Sequence, residues 1–156
     1  MERPTTIASL QLATRASTSA VLALALAQGL GLEYPIYALI AAIVVIDLSP
    51  ARTRELSLQR ILGTVLGAGF GVAFSISLGV NPWTIGIGIF ASMCLCHPLR
   101  LHGAEKVTGY VCGIVMFDHA GAPFLYAAHR LAETLLGVAV AILISFVPKL
   151  LREADR

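Results

Sequence analysis

The sequence predicts an all-α integral membrane protein: six transmembrane helices forming two inverted three-helix repeats within a single domain. Three observations predict it. Apolar residues make up 57% of the 156 residues and charged residues only 13%, against about 45–50% and 25% in soluble domains. That is too little charge to cover a water-facing surface. The apolar residues gather into six runs divided by turn-forming or charged clusters. Finally, the third run lies on the sixth when Arg60 is placed on Arg130.

The first run, 13–32, ends in "GLEYP", and the second, 35–46, ends in "DLSPARTRE". The third, 56–78, stops at "GVNP"; the fourth, 82–96, stops at "HPLRLHG". The fifth, 104–117, ends at "DHAGAP", and the sixth is 124–147. About 20 residues are needed to cross about 30 Å of hydrocarbon. The first, third and sixth runs reach that length, while the second and fifth fall short. With the N-terminus inside, every Lys and Arg except Arg130 falls on the cytoplasmic side, as positive-inside sorting requires. Both termini are then cytoplasmic, and no loop is long enough for a separate soluble domain.

The repeat is concentrated on one helical face. Arg60 meets Arg130, Thr64 meets Thr134, Gly67 meets Gly137, Gly71 meets Ala141 and Ser75 meets Ser145. Elsewhere the halves, about 8–79 and 80–150, agree poorly. Each half holds three spans, so the halves insert with opposite orientation, as in many secondary transporters. The inversion explains why Arg130 alone lies outside: it is the carried-over partner of Arg60. The short second and fifth spans are also partners. Paired short segments point to a substrate region in such folds, although tilted packing with snorkelling flanks gives the same pattern.

Within "LQRILGTVLGAGFGV", Gly63, Gly67 and Gly71 recur every four residues. In lipid such a strip lets two backbones approach closely. With Gly137 and Ala141 it packs the third helix on the sixth inside one chain, or builds a subunit interface. Six helices make a thin wall for a pore, so a homo-oligomer is expected.

Arg60 heads this strip one turn into its helix. It either snorkels to headgroups or, with Thr64, faces a cavity where its guanidinium holds a carboxylate bidentately. Arg130 and Thr134 repeat the arrangement. Glu133, three residues from Arg130, forms a salt bridge with it or carries a coupling proton. Arg15, among Thr14, Ser17, Thr18 and Ser19, lines the same cavity or touches interfacial water. Asp47 and Asp118 read as helix-end residues.

Other classes are excluded. A net charge of +2 with basic residues scattered in short loops does not fit nucleic acid. Cys94, Cys96 and Cys112 lie in apolar runs as free thiols. His97 and His102 fall opposite His119 and His129, so no metal site is expected. No catalytic constellation, phosphate loop or dinucleotide fingerprint occurs, and neither enzyme activity nor a cofactor is expected.

Over nearly its whole length, and most strongly from Arg15 to Gly79, the chain resembles the N-terminal membrane domain of the fusaric acid resistance and aromatic acid exporter family. The residues that carry it are "RILGTVLG" from Arg60 to Gly67, and the upstream "TRASTSAVLALALAQGLGL" and "YPIYALIAAIVVI". An arginine (Arg15) opens the first helix and an aromatic (Tyr37) begins the second. In the second repeat the Gly-Thr pair becomes Glu133-Thr134. The resemblance implies a bacterial inner-membrane protein that exports small, often aromatic, carboxylate anions. It also implies kinship with plant organic-anion channels that assemble as dimers around a basic pore, so a dimer is the expected oligomer. Carrier and channel both stay open. The competing class is a non-transporting structural or accessory subunit, whose arginines would be paired or snorkelled.

Overall fold

A computed structural model describes residues 6–99, 101, 103–118 and 123–147. His102, His119 and the basic residues of both tails lie outside them. Among the described residues the regular structure is entirely α-helical: α1 (Thr6–Gly29), α2 (Ile36–Val45), α3 (Pro50–Leu78), α4 (Pro82–Cys96), α5 (Glu105–Asp118) and α6 (Pro123–Ser145). Hydropathy alone misplaces two starts. The polar first turns of α1 and α3 are helical because "TIASLQL" and "PARTREL" are good helix formers, and Pro50 opens α3 where a missing N–H costs nothing.

Three helices are long and apolar enough to cross a membrane: Thr6–Gly29, Pro50–Leu78 and Phe124–Ser145. The other three have 10, 15 and 14 residues, or roughly 15–22 Å at 1.5 Å per residue. They are shorter than the hydrocarbon layer. Large apolar side chains point outward, among them Trp83 at 85% and Phe90 at 72% exposure. In water such a surface would be an association hazard; in lipid it is the solvated surface.

The chain divides into two compact units. One joins the residues up to Ser57 with those from Glu133 onward, and the other is Leu58–Ala132. Each contains one short hairpin, α1–α2 or α4–α5, plus parts of α3 and α6.

In the first unit, α1 buries Arg15, Ser19, Ala23 and Ala27, one residue per turn. This stripe meets α2, where Ala38, Ala41, Ala42 and Val45 are fully buried. The reversal between them runs through Gly31 at φ 68°, a left-handed position that suits glycine after a helix.

In the second unit, Asn81 caps α4: its Oδ1 accepts from the Trp83 and Thr84 N–H groups at 2.9 and 3.0 Å, while Thr84 Oγ1 accepts from the Asn81 N–H. α4 and α5 run antiparallel, with Gly88 facing Met116, Gly113 facing Ile89 and Gly109 facing Met93. α3 packs parallel to α5. Gly63 faces Val107, Gly67 faces Thr108 and Val111, and Gly71 faces Val115. α3, α4 and α5 therefore alternate in direction. The glycine strip does produce close packing, but its partner is α5, and the seam lies within one chain.

Candidate functional site

Arg60, Thr64 and Arg130 fall together in the second unit. The buried face of α3 carries Ser57, Arg60, Gly63, Thr64, Gly67 and Gly71, so Arg60 lies on the side that meets α5. Its side chain is drawn into the seam and is 2% exposed. The guanidinium carbon stands 5.2 Å from the centre of the Tyr110 ring on α5, a cation–π distance. Arg60 Nε and Nη2 have no hydrogen-bond partner among the described residues. These two nitrogens share one edge of the planar group, and their N–H bonds run parallel, the fork that grips a carboxylate with two oxygens. A buried donor left unbonded costs about 1–3 kcal/mol, and more when charged. The edge that grips carboxylates is thus the edge that has no partner among the described residues.

The surroundings strengthen that reading. Arg130, 1% exposed, lies near enough for its charge to repel that of Arg60. Thr64 is fully buried but turns its hydroxyl to the Arg60 carbonyl oxygen at 2.8 Å. It donates to its own helix, and only its lone pairs remain for other contacts. Tyr110 was not legible in the sequence. Its hydroxyl is buried and has no partner among the described residues. The one signal that could have found it is its place between Gly109 and Gly113 in a short span.

Arg15, Glu133, Thr134, Gly137 and Ala141 belong to the first unit, where they organise the ten-residue helix α2. Glu133 is fully buried, and its Oε1 accepts from the Tyr34 N–H at 2.7 Å, just before α2 begins. Arg15 is 7% exposed and closes the other end. Its Nη1 donates to the Asp47 and Leu48 carbonyls at 3.3 and 2.9 Å, and its Nη2 to the Val147 carbonyl at 2.9 Å. A carboxylate at the N-terminus and a guanidinium at the C-terminus both complement the helix dipole. Arg15 therefore has its donors engaged by backbone, unlike the Arg60 fork. Of the polar residues around it, Thr14, Ser17 and Thr18 donate to carbonyls one turn back on α1. The buried Ser19 and Thr134 hydroxyls have no partner among the described residues.

Gly137 packs against α2, where an added Cβ would strike the Ala38 carbonyl oxygen and sit 2.9 Å from the Ala41 Cβ. The match with the other unit is residue for residue. Gly67 meets Thr108 and Val111, and the same shift that carries Gly67 to Gly137 relates Ala38 to Thr108 and Ala41 to Val111. Under the same shift Gly63, which packs on Val107 and Ala104, corresponds to Glu133, which bonds Tyr34. Glu133 thus fills with a hydrogen bond the place that Gly63 fills by close packing.

Three helices long and apolar enough to cross a membrane, with large apolar side chains facing outward, define a membrane protein. Residues 13–147 match the family described as aromatic acid exporter family member 1. The match covers most of the chain, which belongs to that family. The chain is 29% identical over 127 residues to the UPF0421 protein YgaE of Bacillus subtilis, covering 81% of this chain and 36% of that protein. It is 26% identical over 114 residues to the UPF0421 protein SSP0904 of Staphylococcus saprophyticus, covering 72% and 35%. The chain thus spans just over a third of the length of these curated relatives. No solved structure matches it.

Proposed function

We propose that this chain is the membrane-embedded part of a transporter that moves small organic carboxylates, aromatic ones among them, outward across a bacterial inner membrane. One observation carries the reading: Arg60 is almost wholly buried, and its Nε and Nη2 have no hydrogen-bond partner among the described residues. A purely structural arginine has its donors used, as Arg15 does. A snorkelling one is exposed to headgroups, which Arg60 is not. Family membership supports transport as the activity.

In this reading the chain crosses the membrane six times as two inverted repeats, with both termini cytoplasmic. The residue-for-residue match of the Gly67 and Gly137 seams supports the repeat, and the alternating directions of α3, α4 and α5 support single crossings. Arg60 and Arg130, both in the second unit, line the anion path, and Arg15 holds α2 in place. Glu133, buried at the entrance to α2, is the residue through which a proton gradient would couple. A homodimer completes the pore wall.

The test is uptake of labelled 4-hydroxybenzoate into liposomes containing the purified protein, beside Arg60→Ala. Uptake in the wild type that vanishes in the variant, with the oligomer intact, supports the proposal. No uptake of any aromatic or aliphatic carboxylate overturns it in favour of an accessory subunit.

A further inference from the structure

Tyr110 carries a pair of features that the Arg60 reading alone does not use. Its ring lies over the Arg60 guanidinium at 5.2 Å, yet its hydroxyl is buried with no partner among the described residues. Packing alone would be served as well by phenylalanine, whose ring offers the same face to a cation. A buried phenol with nothing to bond is unfavourable in the ligand-free protein, because burial strips the O–H of water without replacing it. The Arg60 edge and the Tyr110 hydroxyl do not satisfy each other, since each is without a hydrogen-bond partner among the described residues. Three polar groups in one seam, Nε–H, Nη2–H and O–H, are therefore without a protein partner among the described residues.

The helices hold these groups still. Gly63 and Gly67 bring α3 so close to Val107, Thr108 and Val111 that no side chain fits between, and Tyr110 stands in the same stretch of α5. Its ring is thus fixed over the guanidinium by the backbone seam. Such preorganised donors bind an anion without the cost of ordering flexible side chains.

We infer that Tyr110 is a ligand-binding and specificity-determining residue of the Arg60 site. Its ring backs the guanidinium, and its hydroxyl hydrogen-bonds the carboxylate-bearing ligand that the Nε–Nη2 edge holds. This rests on the reading of Arg60 as an anion site and adds a third donor, which selects ligands that place an oxygen at the phenol. A site built to hydrogen-bond a polar ligand group discriminates strongly against analogues that leave it unbonded.

The test measures binding of 4-hydroxybenzoate and benzoate to purified protein by calorimetry, with thermal stability read without ligand. The variants are Tyr110→Phe, Tyr110→Leu and Arg60→Gln. Tyr110→Phe is expected to melt at the wild-type temperature or higher, because an unbonded buried hydroxyl has gone, while binding the tighter of the two anions about tenfold or more weakly. Tyr110→Leu, which also removes the ring, is expected to bind more weakly still. Wild-type affinity in Tyr110→Phe, with binding lost in Arg60→Gln, overturns the role of Tyr110 and leaves the Arg60 site standing. A lower melting temperature in Tyr110→Phe also overturns it, since the hydroxyl would then be serving the fold. Failure of both anions to bind the wild type, or unchanged binding in Arg60→Gln, overturns the Arg60 reading itself.

Discussion

Replacing Gly67 by alanine tests whether the α3–α5 seam sets the geometry of the site. A Cβ at Gly67 would lie 2.5 Å from the Thr108 carbonyl oxygen and 2.8 Å from the Val111 Cβ. Neither atom is the end of a flexible side chain, so relief requires the helix backbones to part. Ordinary contact begins near 3.4 Å, and the separation needed is therefore approaching an ångström. Overpacking of this kind costs about 1–3 kcal/mol, and a backbone oxygen as the obstacle places Gly67→Ala toward the upper end. Gly63→Ala and Gly71→Ala meet valine Cβ atoms at 2.6 and 2.7 Å and are expected to cost somewhat less. Gly69, two residues away on the same helix, has nothing within 4 Å of an added Cβ. Gly69→Ala should be neutral or gain up to about 1 kcal/mol from helix propensity. Thermal unfolding of the four variants in one detergent gives the order. Equal melting temperatures for Gly67→Ala and Gly69→Ala would refute the seam.

Three further outcomes follow from the first unit. Arg15→Ala removes every donor that Arg15 gives to the Asp47, Leu48 and Val147 carbonyls and is expected to cost about 2–4 kcal/mol, read as a lower melting temperature with anion affinity unchanged in the protein that remains folded. Glu133→Gln keeps an oxygen to accept the Tyr34 N–H and should fold normally, whereas Glu133→Leu strands that N–H and should lose about 1–3 kcal/mol. If Glu133 couples transport to protons, uptake by Glu133→Gln loses its dependence on the pH gradient; unchanged dependence removes Glu133 from that role. Gly137→Ala should destabilise as Gly67→Ala does, because its Cβ also meets a backbone carbonyl, and a variant as stable as the wild type would break the correspondence between the two seams.

Much of the helix plan is legible in the sequence because lipid imposes one simple rule, that apolar runs are helices. The fourth run, 82–96, matches α4 to the residue because Asn81 and Pro82 punctuate one end. The start of α3 is not legible, since Arg52, Arg54 and Glu55 are polar yet helical, and hydropathy cannot see a helix that extends past the hydrocarbon. The glycine strip is legible as a packing face, but its partner is not: spacing gives a stripe, and only the register of Gly63, Gly67 and Gly71 against Val107, Thr108 and Val115 names the helix it meets. For the arginines, composition fixes their places without their surroundings. Nothing in the sequence separates Arg15, whose donors meet three carbonyls, from Arg60, whose Nε and Nη2 have no partner among the described residues. Tyr110 is missed for the same reason, because its meaning lies in what it faces.

The most direct test of the central claim separates charge from shape at position 60. Arg60→Lys keeps the positive charge but has no planar two-donor edge. Uptake of labelled 4-hydroxybenzoate into liposomes by Arg60→Lys, at matched protein and with folding verified, should fall to the level of Arg60→Ala. Uptake at the wild-type rate in Arg60→Lys would show that a diffuse charge suffices, and that the open Nε–Nη2 edge is not what holds the anion.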